Sequence, residues 1–256
     1  MSGTPLTVTP ILVRQDNYIW MLPTLPRAMA AVDPGEADPV IAFLVERGMQ
    51  LSHILITHHH TDHIGGVEVL RQRYPGCIVV GSAADVHRLP TLDQAVIDGD
   101  TVGIGDLRVQ VIATPGHTLG HVVYHVADAI FTGDTLFSCG CGRLFEGSAA
   151  QMWHSLQRLM ALSETCRIFP GHEYTLLNLG FLLELEPENQ AILAWLELAQ
   201  GLIRQGKPTL PVSLAHEKKI NPFLRCHLPA MAQKVGLPDQ PAEVVFARLR
   251  EMRNRM

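Results

Sequence analysis

The segment Thr57-His58-His59-His60-Thr61-Asp62-His63 decides how the rest of the chain is read. It follows the apolar run Ile54-Leu55-Ile56 and leads into Ile64-Gly65-Gly66, so it lies where a strand ends and the chain turns. Five of the 13 histidines fall between His53 and His63. Imidazole and carboxylate groups ligate zinc and similar transition metals, and a run this dense reads as a metal site. In extended backbone, side chains two residues apart share a side. His58 and His60 therefore converge on one ion while His59 faces away. Asp62 and His63, past the turn, are placed to grip a second. The helical H-E-x-x-H zinc motif is a different arrangement, because no glutamate stands between these histidines.

Three further segments repeat one theme, an apolar strand and then glycine beside a ligand-type residue. They are Val111-Ile112-Ala113-Thr114-Pro115-Gly116-His117, Ile130-Phe131-Thr132-Gly133-Asp134 and Ile168-Phe169-Pro170-Gly171-His172. Glycine lets the backbone turn tightly at a strand end, so loops at one edge of a sheet can deliver ligands to one place. The other histidines, His53, His59, His87, His121, His125, His154, His216 and His227, read as structural. Asp33 and His59 are candidates for a supporting role behind the ligands, since ligating histidines usually have an acceptor behind them.

Strand patterns cover residues 6–13, 18–22, 28–32, 51–56, 77–80, 107–113, 121–126, 129–131 and, last, 167–169. Helical patterns cover 39–47, with Gly48 as its stop, 66–74 and 149–162. From Tyr174 onward helices dominate, at 176–185, 188–205 and about 241–253, with Lys207-Pro208-Thr209-Leu210-Pro211 as a rigid connector. Strands and helices thus alternate over two-thirds of the 256 residues, and helices alone fill the rest.

Hydrophobic residues make up 47% of the chain, ample for a buried core, and the formal net charge of -5 leaves no electrostatic footprint for nucleic acid. No apolar segment reaches the roughly 18 residues of a membrane span, and no secretory signal is visible at Met1-Ser2-Gly3-Thr4-Pro5. Five cysteines without a regular framework fit a reduced, cytoplasmic protein, and Cys139 and Cys141 read as small loop residues.

The H-x-H-x-D-H run with the three later segments, in this order, resembles the signature of the metallo-β-lactamase superfamily of binuclear metal hydrolases. Later stretches narrow the likeness to the glyoxalase II (hydroxyacylglutathione hydrolase) family, from Asn17-Tyr18-Ile19-Trp20 to the last helix. The loop Cys139-Gly140-Cys141-Gly142-Arg143-Leu144-Phe145-Glu146-Gly147, the triplet His172-Glu173-Tyr174 and the stretch Asn221-Pro222-Phe223-Leu224-Arg225 match that family, as does the closing pair Arg250 and Arg253.

The resemblance implies an α/β fold: an αββα sandwich over residues 1–173, the catalytic domain, and a smaller all-helical substrate-binding domain over 174–256. It assigns His58, His60 and His117 to one metal, Asp62, His63 and His172 to the other, and Asp134 to both. Asp134 and Asp62 are the carboxylates it gives to catalysis. Two divalent ions about 3.5–4 Å apart need an anionic bridge to offset their repulsion. Zinc is the first expectation for both, with iron or manganese as alternatives. The implied reaction is attack of a metal-bridging hydroxide on a glutathione thioester, S-D-lactoylglutathione giving D-lactate and glutathione in methylglyoxal detoxification.

Arg143, Phe145 and Tyr174 are implied contacts of the glutathione moiety, and Arg250 and Arg253 of its glycine carboxylate. Some members carry Lys and Tyr where this chain has Arg143 and Phe145, so the charge is kept and a hydroxyl is lost. Arg248 replaces a usual apolar residue and puts the register of that pair in question, while Arg225 is expected to pair internally. The partners expected are a small-molecule glutathione thioester, no nucleic acid and no membrane, with the chain a monomer. The rival readings are another glutathione-related enzyme of this fold, such as an iron persulfide dioxygenase, and a catalytically silent metal-binding protein.

Overall fold

The computed structural model describes residues 5–255, and the chain divides into two compact units. One runs to Ala113 and takes in Gly120–Gly133; the other takes in Thr114–Leu119 and the chain from Asp134 onward.

The first unit holds a sheet in sequence order: β1 (Thr9–Val13), β2 (Asn17–Leu25), β3 (Ala28–Val32), β4 (Gln50–Leu55), β5 (Ile78–Ser82) and β6 (Gln94–Val96). The first three strands are antiparallel neighbours, and β3 to β6 run parallel. Parallel neighbours need crossovers, which here include the helices Asp38–Arg47 and Val67–Arg73. The first of these starts with proline in its first turn, where a missing N–H costs nothing, and stops at Gly48 in the left-handed conformation at φ 59°. Val40 and Leu44 from that helix and Leu70 from the next pack with Ile19, Met21, Ala31 and Ile54 of the sheet. Each such fully buried aliphatic side chain contributes ~1.5–3 kcal/mol. Four more strands, β7 (Thr101–Ile104), β8 (Leu107–Ala113), β9 (Val122–Val126) and β10 (Ala129–Gly133), are successive antiparallel neighbours.

The second unit opens with a tight hairpin, Leu136–Phe137 paired with Gly140–Cys141. The helix Ala149–Met160 is started by a capping box, in which Ser148 Oγ accepts from Gln151 N and the Gln151 side chain accepts from Ser148 N. The helices Thr175–Leu185, Gln190–Arg204, Leu214–Ile220, Pro229–Lys234 and Ala242–Asn254 follow. Trp153 and Phe223 pack around Phe246 of the last helix at ring-centroid distances of 6.4 and 5.8 Å. One expectation is corrected. Strand structure does not end with Arg167–Pro170, because Val212–Ser213 pairs antiparallel with it. Two residues carry no periodicity, which is why the pattern was not visible. Among the described residues, no helix is long and apolar enough to cross a membrane.

Candidate metal centre

The histidine run is fixed at its base before any ligand is considered. Ile56 N donates to Val80 O and Val122 N to Thr57 O, both at 2.9 Å, and the buried Tyr124 hydroxyl donates to Ile56 O at 2.8 Å. Gly133 closes β10 at φ 47°, where a Cβ would fall 2.4 Å from Thr57 Oγ1, so the residue before Asp134 must be glycine. His58 Nε2 and His60 Nδ1 then lie 3.0 Å apart. His59 turns away, as the extended spacing predicts, and its Nδ1 lies 3.1 Å from Asp85 Oδ2, with Arg88 paired to the same carboxylate.

Asp33 is the anchor of this half. It is buried, sits in the left-handed backbone region at φ 53°, and accepts three hydrogen bonds. These come from Thr57 N at 2.8 Å, Thr57 Oγ1 at 2.7 Å and His63 Nδ1 at 3.1 Å. A carboxylate accepts, so the His63 proton belongs on Nδ1 and its Nε2 keeps a lone pair. The Thr57 hydroxyl, having given its proton to Asp33, is left to accept from His58 Nδ1 at 3.0 Å. That assigns the lone pair of His58 to Nε2 as well. Asp62 is oriented by Asn17, whose Nδ2 donates to its Oδ2 at 2.9 Å, and that oxygen lies 3.5 Å from His63 Nε2.

The second unit carries the other three donors. His117 Nδ1 donates to the backbone carbonyl of Arg143 at 2.8 Å, which leaves Nε2 as the ligand atom. His117 Nε2 and His172 Nε2 each lie 3.4 Å from one oxygen, Asp134 Oδ2. His172 stacks on Tyr174 with ring planes 5° apart and centroids 4.7 Å apart.

These separations test whether the donors suit a metal. Nitrogen and oxygen ligands at about 2.0–2.1 Å in tetrahedral geometry stand about 3.3 Å from one another. The nitrogen–oxygen distances in both units, 3.4 to 3.5 Å, match that edge. The donor set is imidazole and carboxylate throughout, with the tautomers of His58, His63 and His117 set from behind. The clusters fit divalent metal ions.

The residues expected to meet substrate lie in the second unit. Phe145 is 63% exposed and packs edge-on to His117 at 5.2 Å. Arg143 is exposed, and Tyr174 is half-buried against Phe137. Arg250 and Arg253 are both buried, while Arg248 pairs with Glu251. Arg250 Nη1 donates to Cys141 O at 2.7 Å and its guanidinium covers Phe223. Arg253 Nη2 donates to Asn178 Oδ1 at 3.4 Å, and its buried Nε has no hydrogen-bond partner among the described residues. Burial lowers the Arg253 pKa, and the charges of Arg250 and Arg143 lower it further. Arg225 pairs internally with Glu186, as expected.

Sequence reasoning passed over Thr57, Asn17, Asn178 and Glu217 as individual residues. Asn17 alone had a signal, standing at the first matching segment. The others are single polar residues whose partners lie 24 to 79 positions away.

Comparison with known proteins places these features. Residues 32–172 match the family model of the metallo-β-lactamase superfamily, and residues 173–256 match that of the hydroxyacylglutathione hydrolase C-terminus. A Rhodospirillum rubrum protein named hydroxyacylglutathione hydrolase is 46% identical over 248 residues, 96% of each chain. One of the same name from Methylobacillus flagellatus is 47% identical over 251 residues, 96% of this chain and 98% of its own. The crystal structure of ETHE1 from Myxococcus xanthus aligns with a TM-score of 0.66 at 26% identity, over 97% of this chain and 98% of that one.

Proposed function

The chain belongs to the metallo-β-lactamase superfamily and to the hydroxyacylglutathione hydrolases within it, and from that premise we propose that it hydrolyses S-D-lactoylglutathione to D-lactate and glutathione. The observation that carries this reading is the match of residues 173–256, because that segment holds Arg250, Arg253 and Tyr174. The superfamily fold alone names no substrate.

In this reading the chain holds two divalent ions, zinc before iron or manganese. His58, His60 and His117 hold one; Asp62, His63 and His172 hold the other; Asp134 serves both. Ions held this way activate water near neutral pH and polarise a carbonyl oxygen. The protein's own groups do the positioning. Asp33 and the Arg143 carbonyl keep protons on the rear nitrogens of His63 and His117, and Asn17 aims Asp62. Asp134 presents one oxygen at equal distance from His117 and His172. Arg250 and Arg253 attract the glycine carboxylate of glutathione, for which a guanidinium fork is suited, and Arg143 contacts the rest of the glutathione moiety. Tyr174 and Phe145 flank the ligand histidines and contact the peptide moiety. Residues 1–173 form the catalytic domain and 174–256 the substrate-binding domain, in a monomeric cytoplasmic enzyme of methylglyoxal detoxification.

Steady-state kinetics on a panel of glutathione thioesters, with elemental analysis of the same sample, tests the proposal. S-D-lactoylglutathione is expected to be cleaved by protein carrying two ions per chain. Cleavage no faster than the buffer reaction by fully metallated protein overturns it.

A further inference from the structure

The turn of the short hairpin that follows Asp134 is held by one buried acid far away in sequence. Glu217, on the helix Leu214–Ile220, is fully buried. Its Oε1 accepts from Ser138 Oγ at 2.9 Å, and its Oε2 from Cys139 N at 2.8 Å and Asn221 Nδ2 at 2.9 Å. Cys139 needs this support, because it takes the left-handed conformation at φ 61° without being glycine. The same Asn221 amide donates to Phe137 O at 3.2 Å and Gly140 O at 3.0 Å. Asn178 completes the clamp by donating to Ser138 O at 2.9 Å.

The turn is continuous with the segment that carries the substrate contacts. Gly142 N donates to Thr135 O at 3.3 Å, and a Cβ at Gly142 would stand 1.9 Å from Asp134 O, so no slack separates the hairpin from Arg143. Phe145 N donates to His117 O at 3.2 Å. A displaced turn therefore displaces Arg143 and Phe145.

We propose that Glu217 is a positioning residue for the thioester site, its buried carboxylate fixing the Ser138–Cys139 turn and through it the placement of Arg143 and Phe145. The inference rests on the reading of those two side chains as glutathione contacts. Glu217 touches neither substrate nor metal ligand in this account, so its removal acts on binding before it acts on chemistry. Burial pushes the Glu217 carboxyl up to about 7 against the pull of its three donors. Its neutral form is thus easily reached, and a glutamine can stand in for it, with the amide facing Ser138 Oγ and the amide oxygen taking the two N–H donors.

The test compares wild type, Glu217→Ala, Glu217→Gln and Ser138→Ala in the full metallated chain. Two readouts are needed: KM and kcat for S-D-lactoylglutathione, and amide hydrogen exchange over residues 137–145. Loss of the clamp in Glu217→Ala is expected to raise KM about tenfold, the size of one charge-assisted hydrogen bond, with a smaller fall in kcat and metal content because the Arg143 carbonyl behind His117 moves with the turn. Exchange over 137–145 rises with it, and Glu217→Gln restores both. If Glu217→Ala does not fold, Ser138→Ala decides, with a smaller rise in both quantities. Unchanged exchange and KM in the variants overturn the proposal, as does an equal loss of kcat and metal that glutamine does not rescue. Wild-type protein that leaves the thioester intact refutes the functional reading instead, and the exchange data then judge Glu217 alone.

Discussion

The two units hold their candidate ligand histidines in different ways. In the first unit the braces are side chains: Asp33 behind His63, and Thr57, itself tied to Asp33, behind His58. In the second, the brace behind His117 is a backbone carbonyl, that of Arg143. A side-chain brace is lost by one substitution. A backbone brace survives any substitution that leaves the loop in place. One unit is therefore fragile at residues that touch no substrate. The other tolerates change even at the residue that supplies its hydrogen bond.

The strongest way to break this comparison is at the carboxylate oxygen placed equally between His117 and His172. Asp134→Ala is expected to reduce thioester cleavage to the buffer rate and to release metal, read by turnover and elemental analysis. Asp33→Ala comes next. Loss of the groups behind a metal's ligands typically costs about 10–100-fold in metal affinity, and a competition titration with a chelator measures it. Arg143→Ala sharpens the contrast, because it removes a guanidinium and spares the carbonyl. KM for the glutathione thioester is expected to rise about tenfold, with metal affinity at the wild-type value. Metal loss in Arg143→Ala equal to that in Asp33→Ala would erase the distinction.

The smallest effect on activity and a clear one on stability is expected from Glu217→Gln. The wild-type carboxyl is raised from 4.5 to about 7 by burial, so the folded state prefers it protonated. Its contribution to stability is fully present below pH 4.5 and is lost as pH rises through about 7, because there the unfolded chain has released a proton that the folded chain retains. The glutamine variant cannot titrate. Denaturant unfolding at pH 4.5, 6 and 8 should show the wild type losing stability relative to the variant across that range. A constant difference between the two would show that Glu217 is ionised in the fold throughout.

The same contrast explains what was legible in the sequence. The first unit's candidate donors are packed into seven residues after a strand, so density and alternation singled them out and foretold the outward turn of His59. The stop of the first helix at Gly48 was equally plain, since a left-handed residue there calls for glycine. His117, Asp134 and His172 could be found only as a repeated strand–glycine–ligand theme and by family likeness. Of the clamp, Asn221 stood in a stretch that matches the family, but Glu217 and Asn178 left no trace, because each is one polar residue in a short or apolar helix whose turn partner is distant in sequence. Short elements were also lost: Gln94–Val96, Val212–Ser213 and Pro229–Lys234 are too brief for either period to register.

The central claim is that this chain's clustered imidazole and carboxylate groups serve a metal-dependent thioesterase. The most direct measurement is S-D-lactoylglutathione cleavage by the full chain as purified, after stripping with chelator, and after return of zinc, iron or manganese, with ions per chain counted at each stage. The account predicts two ions at the start, cleavage lost with the metal, and cleavage regained as the second ion returns. Full activity in metal-free protein would contradict it.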